Sequence, residues 1–245
     1  MENDRYAYYS TLVPNVTSAI SSIQELEYSK CFDRDYLEHT LIPALGLNNE
    51  HLHEQPEELS PFFGTGLHLW QYPSQLADYL VWLSLNGKGV KRYMEIGCRW
   101  GGTFIVVNEW LKKIGAPIEV SIAVDPVPET PFIKEYIAIS NTPVVYLNAF
   151  STSQTVIDYT RMAKPDMVFI DGDHSMAGVM FDHGLVRKNA NIIVHHDIAS
   201  FACPPTVAFW NYAREAEENF ESFEFVNQYE SVKGNFLGIG AMKRI

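Results

Sequence analysis

Between Arg92 and Thr103 the chain reads Arg-Tyr-Met-Glu-Ile-Gly-Cys-Arg-Trp-Gly-Gly-Thr. Tyr93–Ile96 is a short apolar run of strand length that carries one acid. Three glycines follow, and the amphipathic run 104–114 then has helical spacing. Strand, glycine loop and helix in this order bring the backbone of an α/β sheet close to a nucleotide-like ligand. Glycine accepts positive φ and leaves space where a side chain would collide with that ligand. The spacing is G-x-x-x-G-G, not G-x-G-x-x-G, so the usual diphosphate cradle is not spelled out. Glu95 at the strand end sits badly beside phosphate and suits a ligand with an ammonium group.

The remainder of the chain is organised around this stretch. Strands are expected at 93–96, 120–124, 144–147, 167–170 and 192–195, with helices between them at 104–114, 132–139, 153–162 and 176–187. A helix at 207–217 follows, then strands at 222–226 and 236–242 joined through Lys233-Gly234-Asn235 as an antiparallel hairpin. Such alternation predicts a doubly wound α/β fold: a mostly parallel seven-stranded sheet covered on both faces, closed by that hairpin. Residues 73–245 form this domain, and Pro73 suits the first turn of its leading helix.

Residues 1–72 read as a helical N-terminal extension or lid. Helical stripes run over 16–28 (Ile20, Ile23, Leu26) and 33–45 (Leu37, Leu41, Leu45, then Gly46). His51 and His53 lie in an acidic stretch that reads as a solvated loop, because no ordered ligand spacing accompanies them. The segment Gly64–Pro73, rich in aromatics, is placed to close over a ligand at the glycine loop, and this region leaves a homo-oligomeric contact open.

The formal net charge of −12 argues against a nucleic-acid grip, which needs a basic face. No apolar run reaches the roughly 20 residues that span a bilayer, and no secretory signal opens the chain. Cys31, Cys98 and Cys203 are odd in number and widely spaced, which fits a reducing cytoplasm. A small-molecule partner is the class these features leave.

In a parallel α/β sheet, ligands bind beyond the carboxyl ends of the strands. Here those ends carry the Glu95/Gly97/Gly101 loop, Asp125, Asn148-Ala149-Phe150-Ser151, Asp171-Gly172-Asp173-His174-Ser175 and His195-His196-Asp197. An acid at the Asp125 position accepts hydrogen bonds from ribose hydroxyls. The polar and aromatic 148–151 stretch suits the edge and face of a purine. His195 precedes the His196-Asp197 pair and points to the other side of its strand, as a core histidine.

Taken together, Met94-Glu-Ile-Gly97…Gly101-Gly102, Val124-Asp125, Phe169-Ile-Asp171-Gly-Asp173-His174-Ser175 and His196-Asp197-Ile198 resemble the class I S-adenosylmethionine-dependent methyltransferases. The likeness is greatest to small-molecule O-methyltransferases acting on macrolide and aminocoumarin sugars and to cephalosporin-hydroxylase-like proteins, and spans about residues 68–242. It implies a Rossmann-like methyltransferase using S-adenosyl-L-methionine on a hydroxyl of a sugar or polyketide-like metabolite. Glu95 and Gly97 would face the methionine part of the cofactor, with Gly101, Thr103 and Asp171 as further cofactor-binding residues. Asp125 would hold the ribose, and Asn148, Ala149 and Phe150 would border the adenine. In metal-dependent members the corresponding positions bind Mg²⁺ or a similar ion such as Mn²⁺; here they are Asp171, His196 and Asp197. Asp173, His174 and His196 are the candidates for the base.

His196 stands where those relatives carry a carboxylate, and imidazole suits Mn²⁺, Fe²⁺ or Zn²⁺ better than Mg²⁺. Either the ion differs, or His196 is a base and no metal binds. Methyl transfer to nitrogen and a cofactor-binding domain without turnover are the alternative readings. The glycine spacing disfavours a dehydrogenase.

Overall fold

A computed structural model describes residues 15–50 and 55–245. The His51/His53 stretch lies outside the described residues.

Seven strands form one sheet in the order β3-β2-β1-β4-β5-β7-β6. They are β1 (Arg92–Ile96), β2 (Val120–Asp125), β3 (Val144–Asn148), β4 (Met167–Ile170), β5 (Ile192–His196), β6 (Phe220–Phe225) and β7 (Ile239–Arg244). The first five are parallel, and β7 runs antiparallel between β5 and β6. Alternating side chains supply two cores. Tyr93, Ala123, Phe169 and Val194 face one; Met94, Ile122, Val168 and Ile193 face the other.

The first face is covered by α1 (Val16–Gln24), α4 (Pro73–Asn86), α5 (Gly102–Lys113) and α6 (Pro131–Ile139). The second carries α7 (Gln154–Ala163), α8 (Met176–Val186) and α9 (Pro204–Ala216). Trp110, fully buried on α5, donates its indole N–H to the Leu80 carbonyl at 3.0 Å and to Ser84 Oγ at 2.9 Å, which locks α5 to α4. Asp166, just before β4, accepts from the backbone N–H groups of Lys91 and Arg92 at 2.9 Å each and so sets the start of β1.

The N-terminal region shares the first core. Val16, Ile23, Leu37, Leu41 and Leu45 pack in the same cluster as Tyr93, Phe104 and Trp110. The second expected helix is present in pieces: α2 (Arg34–Tyr36), a π-helical turn at Leu37–Leu41, and α3 (Ile42–Leu45). Asp33 caps it by accepting from the Tyr36 N–H at 3.1 Å, as a short acidic side chain does at a helix start. Among the described residues, no helix is long and apolar enough to cross a membrane.

The last strand differs from expectation. It starts at Ile239, not Phe236, and the connection from β6 occupies 226–238 where 227–235 was expected. Leu237 (φ 55°) and Gly238 (φ 103°) adopt left-handed backbone, which breaks the extended run. Phe236 and Leu237 turn inward instead and pack with Tyr72.

Candidate functional site

The strand order reverses between β1 and β4. At such a switch point the loops leaving the two strands part and open a crevice. A cavity of about 250 Å³ lies there. The glycine loop forms its floor, the loops after β4 and β5 one wall, and His68, Trp70 and Gln71 of the segment before α4 its cover.

The floor is built by close backbone approach. Gly97 accepts a left-handed φ of 83°, and a Cβ there would lie 2.0 Å from the Asp171 carbonyl oxygen. A Cβ on Gly102, the first residue of α5, would lie 2.5 Å from the Leu67 carbonyl oxygen, so the cover rests on the helix start. Glu95 is buried on the face it shares with Tyr93, whose hydroxyl donates to Oε2 at 2.5 Å. Burial is the main influence on this carboxyl and pushes it up to about 8 against the opposing Tyr93 hydrogen bond.

The wall is a cluster of carboxylates and imidazoles. Asp171 Oδ1 lies 3.2 Å from His174 Nε2 and 3.2 Å from His196 Nδ1. Asp197 Oδ2 lies 3.5 Å from His174 Nε2 and 3.7 Å from His196 Nδ1. Gln71 Oε1 is 3.1 Å from His196 Nε2, which ties the cover to the wall. Burial would raise the Asp171 carboxyl, but the charge and hydrogen bonds of His196 and His174 outweigh it and hold it well below the usual carboxylate range. The hydrogen bond to Asp171 raises His174; burial opposes charge on His196, yet Asp171 and Asp197 outweigh burial and raise it as well.

Glu95, Gly97, Gly101, Thr103, Asp171, His174, His196 and Asp197 thus line one cavity. Asp125, Asn148, Ala149, Phe150 and Asp173 lie outside that lining. Asp125 Oδ2 accepts from the Arg99 N–H at 2.6 Å and Oδ1 from the Val127 N–H at 2.9 Å, so it holds the glycine loop against the end of β2. Each oxygen keeps capacity for one further donor. Asn148 donates to the carbonyls of Pro126 at 3.0 Å and Val127 at 2.6 Å, the Ala149 N–H to that of Asp125 at 3.0 Å, and Phe150 is exposed. These four residues form a second group beside the glycine loop.

Asp173 accepts from the N–H and hydroxyl of Ser175, each at 2.9 Å, and these bonds, the backbone one first, lower its carboxyl. Ser175 in turn caps α8 by accepting the Gly178 N–H at 3.0 Å. Ser175→Ala is expected to cost about 1 kcal/mol of unfolding free energy in urea denaturation, the usual value of a helix cap.

Solved structures agree with this architecture. An O-methyltransferase from Streptomyces achromogenes, TomG, involved in tomaymycin synthesis and solved with S-adenosylmethionine, is 14% identical, with a TM-score of 0.51 and full coverage of both chains. A candidate O-methyltransferase from Klebsiella pneumoniae is 13% identical, with a TM-score of 0.51 over 89% of this chain and 90% of that chain. The chain has the class I methyltransferase fold. No protein-family model and no curated protein matches the sequence.

Within this methyltransferase fold, His195 lies on the far side of β5 from the cavity, as expected. It is fully buried, with Nε2 3.0 Å from His183 Nδ1, and burial lowers its pKa well below the usual value. Three residues at the cavity escape sequence reasoning. Arg99 (φ 45°) places its guanidinium 4.8 Å from the Trp70 ring and pairs with Glu50 at 3.0 Å. Gln71 reaches His196. Cys203 approaches His174 and Asp197. The signal for Cys203 was its place in the loop leaving β5, at the carboxyl edge of the sheet.

Proposed function

We propose that the chain transfers the methyl group of S-adenosylmethionine to a hydroxyl oxygen of a small metabolite. The observation that carries this reading is Glu95: a buried carboxyl at the glycine loop, in the same cavity as the Asp171/His196/Asp197 cluster. A buried carboxyl that lines the cavity at the glycine loop answers an ammonium group, and the methionine end of the donor has one. Asp125, at the next strand end, keeps acceptor capacity for a ribose.

In the transfer, the acceptor oxygen attacks the methyl carbon, the carbon–sulfur bond breaks, its electron pair stays on sulfur, and the oxygen loses its proton. Alignment and water exclusion supply much of the rate. Here Trp70, Gln71 and His68 cover the cavity, and the loops after β4 and β5 hold the polar wall against it. Asp171, His196 and Asp197 would hold a divalent ion, since one donor atom from each lies within 4.8 Å of the others. Such an ion lowers the pKa of a bound hydroxyl and fixes its direction. With no ion bound, the raised pKa of His174 and His196 leaves each imidazole with both protons at neutral pH. A base role at either one requires that proton to leave first.

The test is calorimetric titration with S-adenosylhomocysteine. Saturable binding is expected, weakened about tenfold or more in Asp125→Ala, which corresponds to about 1.4 kcal/mol. Thermal stabilisation by NAD and not by S-adenosylhomocysteine would overturn the reading.

A further inference from the structure

The loop leaving β5 turns back tightly: the Ser200 N–H reaches the Asp197 carbonyl at 3.3 Å and the Cys203 N–H reaches that of Ser200 at 3.1 Å. Asp197 itself takes a left-handed φ of 58°. The turn delivers the Cys203 thiol into the cluster, 3.4 Å from Asp197 Oδ2 and 3.3 Å from His174 Nδ1. His174 bridges onward, with Nε2 3.5 Å from Asp197 Oδ2. One donor atom each from His174, Asp197 and Cys203 lies within 4.8 Å of the others. Ligands held at about 2.0–2.3 Å around a tetrahedral ion stand roughly 3.3–3.7 Å apart; the thiol and Asp197 Oδ2, at 3.4 Å, meet that spacing, and a His174 ring nitrogen completes the set within 4.8 Å.

We propose that this cluster binds a transition-metal ion of the Zn²⁺ class, with Cys203 and His174 joining Asp197 as ligands, and not Mg²⁺. The inference rests on the metal-assisted reading of this cavity and adds the class of ion and two ligands. Mg²⁺ takes oxygen donors in octahedral array and leaves thiolate and imidazole unused. Thiolate and imidazole together select Zn²⁺, Fe²⁺ or Co²⁺. On binding, the Cys203 thiol and the ligating nitrogen of His174 each release a proton to solvent. The ion joins the loop after β4, through His174, to the loop after β5, through Asp197 and Cys203. Ser200, Ala202 and Cys203 line the cavity, so the ion also fixes the shape of the acceptor side.

Cobalt(II) titration of the full-length protein, followed by absorption, tests this. A near-ultraviolet sulfur-to-cobalt charge-transfer band is expected, abolished by Zn²⁺ and unaffected by a large excess of Mg²⁺. Cys203→Ser is expected to remove the band and to weaken Zn²⁺ binding at least tenfold or so, since loss of even an outer-shell partner costs about 10–100-fold. Its circular dichroism and S-adenosylhomocysteine titration serve as the check that it folds. Cobalt binding without the band, displaced by Mg²⁺, would overturn the inference and leave the Asp171/His196/Asp197 set as the metal site. Failure of any of these ions to bind, with S-adenosylhomocysteine binding intact, would overturn it while leaving methyl transfer standing.

Discussion

Gly97→Ala is expected to destabilise the protein by about 3–5 kcal/mol, at the upper end of what single substitutions do. Two costs add. The first is conformational: at φ 83° an added Cβ meets its own chain, for about 1–2 kcal/mol. The second is steric. The new carbon would lie 2.0 Å from the Asp171 carbonyl oxygen, 2.4 Å from its carbon and 2.7 Å from Gly172 Cα. All three are backbone atoms, so no side chain can swing aside. Relief requires β1 and β4 to part, yet the Asp171 N–H donates to the Ile96 carbonyl at 2.8 Å at that very point. Gly115→Ala separates the two costs: its φ is 87°, but a Cβ there meets nothing within 4 Å. It is expected to cost about 1 kcal/mol, the conformational part alone. Urea denaturation of both variants measures the difference. Equal losses would show that the close approach of Gly97 to Asp171 carries no energy.

That contact also explains why so much of the site was legible in the sequence. Three glycines after a strand imply a backbone that must come close to something, and acids at successive strand ends imply that the carboxyl edge faces a ligand. Both statements follow from residue type and place in the αβ alternation alone. The parallel order and the burial of His195 follow the same way. Cys203 was not legible: it is six residues from Asp197 and far from His174, and only the turn that starts at left-handed Asp197 brings the thiol back. The cover over the cavity was legible in outline, from the aromatics of Gly64–Pro73, but not the Gln71–His196 contact, which depends on where that segment rests against Gly102. The start of β7 was misplaced because Phe236 and Leu237 have the composition of a strand and are used as cavity-side packing. The π-helical turn at Leu37–Leu41 leaves no mark in a periodicity count, since its apolar residues still recur every four.

Glu95→Gln is expected to act in opposite directions on stability and on binding. The Glu95 carboxyl rises from an ordinary 4.5 to about 8, chiefly through burial. An acid whose folded-state pKa lies above its unfolded value holds its proton more tightly when folded. Folding therefore bears no such cost below about pH 4.5 and loses about 1.4 kcal/mol per pH unit as pH climbs toward 8. Glutamine never ionises, so the variant is expected to melt at a higher temperature than the wild type at about pH 8 and at nearly the same temperature at about pH 4. Ligand binding moves the other way. An ammonium group beside Glu95 favours the carboxylate, so S-adenosylhomocysteine is expected to release about one proton from Glu95 on binding at pH 7. Calorimetry in buffers of different ionisation enthalpy reads that proton directly. In Glu95→Gln the release is expected to vanish and the affinity to fall about 10–100-fold, or roughly 1.4–2.8 kcal/mol. A variant that is less stable at pH 8 than the wild type, or that binds equally well, would mean that Glu95 is a packing residue held by Tyr93. The opposed pair of effects is what a carboxyl kept for a cationic ligand must produce: its burial costs the free protein stability that the ligand's charge restores.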